Sequence, residues 1–274
     1  MPVKLIAFDL DGTALLTNKT ISDKNRSSLE KAGNAGILLV PATGRLLSFL
    51  PPEVTSIPHV RYVITANGGA VYDLREQRKL HSACLTTDKA QAIQRILDEY
   101  SIYTEYYVDG VAFTTEKDVN KAKITYGLPE SKYHFLTKKY SYVHSFTSFL
   151  QEVSPTPEKI NLPYLPAEIR DKLRARLERV EGIKLTSSIA DNLEINDSTA
   201  TKGLALCALC AHLEISPQSC MAIGDNGNDE DMLRYAGVSV AMANSSDEAF
   251  RAAKYRTLSC ENSGLALAIE KYAL

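Results

Sequence analysis

No apolar run in this chain approaches the ~20 residues that a helix needs to cross a bilayer. The apolar stretch nearest the start is interrupted by Asp9 and Asp11. Neither a membrane span nor a secretory leader is therefore expected. Charge of one sign is also lacking. The 31 basic and 33 acidic residues leave a formal net charge of −2, too little for general affinity toward nucleic acid or an anionic membrane. Cysteine is sparse and odd in number, five in all. Without framework spacing it excludes a disulfide scaffold and suits a reducing compartment. Cys207 and Cys210 form one Cys-x-x-Cys inside the apolar helical stretch 204–211. No second pair completes a zinc site, so both read as buried thiols. None of the five histidines falls in a motif, and no internal repeat or low-complexity tract is evident. A cytoplasmic protein with no nucleic-acid or membrane partner is expected.

The 274 residues, 45% hydrophobic and 23% charged, are those of an ordinary globular protein with one large domain or two smaller ones. Apolar strands alternate with amphipathic helical patterns, the signature of a parallel sheet covered by helices on both faces. Ser22 is an N-cap candidate for the first helix. The middle of the chain differs. Residues 102–108 and 111–115 flank Asp109-Gly110, a hairpin signal, and helical patterns span 88–100 and 166–180.

The most informative feature is an acidic pair, Asp9-Leu10-Asp11-Gly12-Thr13, directly after the apolar run Leu5-Ile6-Ala7-Phe8. The carboxyl end of a buried parallel strand is where open α/β folds bind ligands. Two carboxylates there can bind a divalent cation and leave an oxygen free to attack phosphorus. Three further stretches end in chemistry: Ile37–Val40 leads to Pro41-Ala42-Thr43-Gly44-Arg45, Thr201-Lys202-Gly203 heads a helix, and Met221-Ala222-Ile223 leads to Gly224-Asp225-Asn226-Gly227-Asn228-Asp229.

These four motifs, in this order, resemble those of the haloacid dehalogenase superfamily of phosphatases. The insertion between the second and third resembles the cap of the Cof-type, or class IIB, members. The resemblance implies an α/β fold, a doubly wound parallel-sheet (Rossmann-like) core of residues 1–81 and 190–274 with an inserted α/β cap domain at 82–189. It implies Asp9 as the nucleophile, since a carboxylate can accept a phosphoryl group as an acyl phosphate, and Asp11 as general acid/base. Asp225, with Asp9 and the Asp11 backbone carbonyl, would hold Mg²⁺. Asp229 would support the metal site from behind. Thr43 and Lys202 would hold phosphoryl oxygens, and Gly12, Gly44 and Asn228 would meet the substrate; Arg45, beside the second motif, reads either as a substrate contact or as an ordinary surface arginine. The bland reading of Glu230 and Asp231 is helix N-terminal charge. Ala14 and Ala243 depart from the family pattern at positions with no ligand role.

The expected activity is Mg²⁺-dependent hydrolysis of small soluble phosphate esters, with sugar phosphates the expected class, through an aspartyl-phosphate intermediate. A sugar phosphomutase is the alternative within the same motifs, and a non-catalytic phosphometabolite-binding protein is the second. Nine of the fourteen tyrosines fall in the inserted segment and read mainly as its core.

Overall fold

The computed structural model describes residues 1–125, 137–187 and 192–274, so Tyr126, Tyr133 and His134 lie outside the described residues. The chain divides into two units: Met1–Arg45, Phe49–Ser82 and Thr201–Leu274 form one, and Leu46–Ser48 with Ala83–Ala200 form the other. Among the described residues no helix is long and apolar enough to cross a membrane.

The first unit is built on a parallel five-stranded sheet. Its strands are β1 (Leu5–Phe8), β2 (Leu38–Pro41), β12 (Cys220–Gly224), β13 (Val238–Ala241) and β14 (Tyr255–Arg256), ordered β14-β13-β12-β1-β2. All four residues of β1 and all five of β12 are buried, as strands covered on both faces require. Residues β3 (Tyr62–Thr65), β4 (Ala70–Asp73) and β5 (Arg78–Ser82) form an antiparallel sheet. Parallel bridges from Leu39 to Val60 and Ala42 to Ile64 extend β2 toward β3.

Helices close the faces. Ser22 caps helix Asp23–Asn34 by accepting from the Asn25 N–H, and Thr201 caps helix Lys202–His212 by accepting from Leu204 N–H at 3.1 Å. Each satisfies a backbone donor that the helix start leaves open. Leu206 and Leu209 of the second helix join Leu5, Val40, Ile64 and Met232 in one core cluster. That burial fixes the helix against the sheet and so fixes where Lys202 enters. In the same helix Cys210 is buried, but Cys207 is exposed. The expectation that both thiols are buried fails for Cys207. The helix presents only part of its surface to the sheet, and position 207 falls outside it.

The second unit holds a six-stranded sheet of β6 (Glu105–Val108), β7 (Val111–Thr114), β8 (Tyr140–Tyr142), β9 (Lys159–Leu162), β10 (Ile183–Thr186) and β11 (Leu193–Asp197), ordered β10-β11-β9-β6-β7-β8. Asp109 and Gly110 join β6 to β7 with φ of 48° and 75°, the left-handed pair that a tight two-residue hairpin needs. Helices Thr87–Leu97, Phe146–Glu152 and Ala167–Leu177 supply Ile93, Leu150 and Leu173 to a core with Tyr106, Ile160 and Ile195. Tyr103, Tyr106, Tyr107 and Tyr140 are buried, whereas Tyr142 is exposed. The sequence boundary at 189/190 lies outside the described residues, and residues 192–200 depart from it. β11 pairs with β9 and β10, so this stretch joins the second unit and the first resumes at Thr201.

Candidate active site

The carboxyl ends of β1, β2 and β12 deliver the first, second and fourth motifs to one edge of the parallel sheet. Asp9 follows β1 directly and its N–H donates to the Ile223 carbonyl of β12 at 3.0 Å. On the other side Ala42 N–H donates to Phe8 O at 2.8 Å, which carries Thr43 beside the first motif. Asp225 follows β12.

A buried lysine ties the acidic residues together. The Lys202 ammonium, with no exposed surface, donates to Asp9 Oδ1 at 2.6 Å and to Asp229 Oδ1 at 2.7 Å. The other oxygen of Asp229 accepts the backbone N–H groups of Asp225 at 2.9 Å and Asn226 at 3.0 Å. Asp229 therefore shapes the loop that presents Asp225. Thr13 holds the Asp225 carboxylate from the first loop, donating to Oδ1 at 2.7 Å. Gly12, at φ 88°, lets the loop come this close, because a Cβ there would stand 2.4 Å from Asp225 Oδ2.

Asp11 points elsewhere. Arg45 grips it in a two-pronged pair, Nε to Oδ2 and Nη2 to Oδ1, both at 2.7 Å. Lys19 adds a contact to Oδ1 at 2.9 Å. Thr43 is buried, and its hydroxyl oxygen accepts Arg45 N–H at 3.1 Å. Gly44 packs against Asn67, whose Oδ1 would lie 2.7 Å from a Cβ at position 44. Asn67 Oδ1 also accepts from Asn228 Nδ2 at 3.1 Å. This asparagine sits at φ 59° in the turn after β3, and Gly68 follows it at φ 99°, where a Cβ would meet the Thr201 carbonyl at 2.2 Å. The second, third and fourth motifs are thus linked through the Asn67-Gly68 turn.

The electrostatics follow from burial. Burial pushes Asp9 well above the usual carboxylate range, with Asp229 and Asp225 adding to the rise and Lys202 opposing it. Burial, then Asp229, raises Asp225 to about 6, against the Thr13 hydrogen bond. Lys202 is held protonated: burial opposes its charge, but Asp229 and Asp9 outweigh it. For Asp11 burial also acts upward, yet the Arg45 hydrogen bonds and charge prevail and bring it down to about 2.

Carboxylate oxygens of Asp9, Asp225 and Asp229 lie within 4.8 Å of one another. One ammonium faces these three acidic groups, and burial together with repulsion among the carboxylates raises Asp9 and Asp225. An all-oxygen set suits a hard divalent cation. The residues fit one, and because Asp229 already accepts three donors, Asp9 and Asp225 are those that would hold it. The Asp11 carboxylate is outside this cluster.

Two contacts carried no signal in the sequence. Lys19 lies in an unremarkable turn, and Asn244, which donates to the Gly12 carbonyl at 2.8 Å, lies beyond the last motif. The Thr13–Asp225 bond was more accessible to reasoning, since both residues belong to motifs.

A doubly wound sheet with carboxylates, a buried lysine and a hydroxyl converging at its strand ends defines a phosphoryl-transfer type of site. Residues 6–269 match the model of the haloacid dehalogenase-like hydrolases, and the chain belongs to that family. Phosphatase YwpJ of Bacillus subtilis strain 168 is 30% identical over 281 residues, covering 96% of this chain and 98% of its own. The 5-amino-6-(5-phospho-D-ribitylamino)uracil phosphatase YcsE of the same strain is 27% identical, with 99% and 96% covered. The solved structure of the subclass IIB sugar phosphatase BT4131 superposes with a TM-score of 0.81 at 20% identity, covering 98% of both chains. The protein is a phosphatase of this family, with the core and cap architecture of its Cof-type members.

Proposed function

We propose that the protein is a Mg²⁺-dependent phosphomonoester hydrolase that acts on sugar or sugar-alcohol phosphates through an aspartyl-phosphate intermediate. The observation that carries this reading is the buried lysine shared by Asp9 and Asp229 beside Asp225. A purely binding protein has no need of a carboxylate held in this way. The sugar-like substrate class is supported by the phosphorylated ribityl group in the name of one relative and by the sugar phosphatase of the same fold.

Asp9 attacks phosphorus. The new Asp9–phosphorus bond forms as the ester P–O bond breaks, and Asp11 gives the departing alkoxide its proton. Water then attacks the acyl phosphate, Asp11 takes the proton, and phosphate leaves Asp9 as a free carboxylate. Lys202 steadies Asp9 and places positive charge where the phosphoryl oxygens gather. Thr43, the Gly44 N–H and Asn228 serve as neutral donors to those oxygens, and Gly12 keeps the first loop close. Asp9 and Asp225 would hold a divalent cation, whose charge would let a carboxylate approach a phosphate dianion.

Asp11 beside Arg45 is ionised, the state the second step uses. Proton donation in the first step requires Arg45 to release it, and a phosphate group is a competing partner for a guanidinium. Residues 83–200 are the inserted cap unit, to which we assign the choice among substrates.

The test is phosphate release from a panel of sugar phosphates, nucleotides and pyridoxal phosphate, with Mg²⁺ and with chelator, using Asp9→Asn as control. Mg²⁺-dependent release that disappears in the variant supports the reading. Isomerised sugar phosphate without released phosphate would instead identify a mutase.

A further inference from the structure

The first loop folds back on itself between Leu16 and Thr20. Leu16 N–H donates to the Thr20 carbonyl and Lys19 N–H to the Leu16 carbonyl, both at 2.8 Å. Asn18 Oδ1 accepts the Thr20 N–H at 3.0 Å and the Thr20 hydroxyl at 2.7 Å. Glu261 anchors the turn: its Oε1 accepts the Thr17 N–H at 2.7 Å and the Thr17 hydroxyl at 2.5 Å. At the tip stands Lys19, in the left-handed region at φ 67°.

Nothing in the turn asks for a lysine there. Glycine and asparagine take that conformation at least cost, yet the asparagine stands one place earlier and the lysine carries the strain. Stability does not explain the choice either. The Lys19 ammonium pairs with Asp11 Oδ1 at 2.9 Å while its side chain is 61% exposed, and a pair so exposed adds little to stability. What the position does provide is reach, because from this tip the ammonium meets a carboxylate eight residues back.

Asp11 is thus held by two cations of unlike shape, all three residues belonging to the first unit. Arg45 spans both oxygens, Nε on Oδ2 and Nη2 on Oδ1, whereas Lys19 meets Oδ1. The guanidinium fork closes the carboxylate; the ammonium leaves Oδ2 open. We infer that Lys19 is a positioning residue for Asp11, holding Oδ1 in place when Arg45 turns to the phosphate group, so that Oδ2 faces the ester oxygen and then water. A carboxylate held at one oxygen stays aimed, and a reacting group displaced by an ångström is costly in rate. This role rests on Asp11 acting as acid and base in the phosphatase reading above.

Phosphate release with Mg²⁺ from the sugar phosphate that wild type hydrolyses fastest, and thermal unfolding, are measured for wild type, Lys19→Asn, Lys19→Arg and Asp11→Asn. Asparagine suits the left-handed turn, so Lys19→Asn should melt at or above the wild-type temperature. Its kcat should nevertheless fall about tenfold, with KM within about twofold of wild type. Lys19→Arg keeps a cation of similar reach and should retain kcat within about threefold. Activity and stability moving in different directions is a result that a merely structural lysine would not give. Melting temperature and kcat falling together in Lys19→Asn overturn the inference, as does a raised KM at unchanged kcat, which would make Lys19 a substrate contact. Lys19→Arg as slow as Lys19→Asn overturns it too. An inactive Asp11→Asn beside a fully active Lys19→Asn sinks this inference alone. A fully active Asp11→Asn, or a wild type that releases no phosphate, sinks the reading of the site and this role with it.

Discussion

Lys202 and Asp9, 193 positions apart in the chain, meet at 2.6 Å in the buried interior of the first unit. The lysine's second partner, Asp229, is wholly buried as well. A charged group this far from water is tolerable only when paired and hydrogen-bonded, so the three residues act as one unit. They join the helix start that carries Lys202 to the end of β1, which carries Asp9, and to the turn after β12, which carries Asp229.

Removing the cation from that unit leaves uncompensated buried carboxylates. Lys202→Met is expected to lose about 3–5 kcal/mol of stability and all detectable phosphatase activity. Denaturant unfolding alongside phosphate release checks both. A variant as stable as wild type would contradict the pairing.

Asp229 acts through its neighbours, holding Lys202 and the Asp225 and Asn226 N–H groups. Asp229→Asn keeps the shape but loses the charge. Activity or Mg²⁺ affinity is expected to drop about 10–100-fold, read by kinetics and by calorimetric Mg²⁺ titration. An unaltered Mg²⁺ affinity together with unaltered activity would show that the loop needs no such support.

Gly12 is conformationally required. Gly12→Ala sets a methyl against Asp225 at φ 88°, at a strain cost of about 1–3 kcal/mol. The melting temperature should fall and Mg²⁺ binding weaken together, since the displaced residue is the one proposed to hold the ion. Weakened stability with intact Mg²⁺ binding would separate the two.

The acidic cluster predicts how pH and Mg²⁺ interact. Asp225 has a raised pKa, about 6, so the folded protein binds its proton more tightly than the unfolded chain does. Its stabilising contribution is present below the ordinary carboxylate value and is lost as pH rises through about 6. Mg²⁺ competes with that proton and replaces it at higher pH. The Mg²⁺-induced rise in melting temperature should therefore be larger at pH 7.5 than at pH 5. Equal rises at the two pH values would argue against ion binding at Asp225.

Much of this arrangement is legible in the sequence because parallel strands announce themselves as short apolar runs. The runs at Leu5–Phe8 and Cys220–Gly224 are buried throughout and place Asp9 and Asp225 at adjacent strand ends. The Asp109-Gly110 turn was equally plain, since few other pairs adopt two successive left-handed conformations. Pairing is where sequence reasoning stops. Leu193–Asp197 alternates like any half-buried strand, and only its partners β9 and β10 assign it to the second unit. Glu105, Asn161 and Glu194 fall in one row with no local signature at all, because register across three distant strands creates it. The exposure of Cys207 likewise depends on which side of its helix meets the sheet.

The nucleophile is the central claim, and chemical trapping tests it most directly. An acyl phosphate is reduced by borohydride, which converts the aspartate that carried it into homoserine. Protein turning over a sugar phosphate with Mg²⁺ is quenched rapidly, reduced, digested and sequenced by mass spectrometry. Homoserine at position 9, dependent on both substrate and Mg²⁺, is the predicted result. Phosphate release without any modification of Asp9, or with homoserine at another aspartate, would contradict the account.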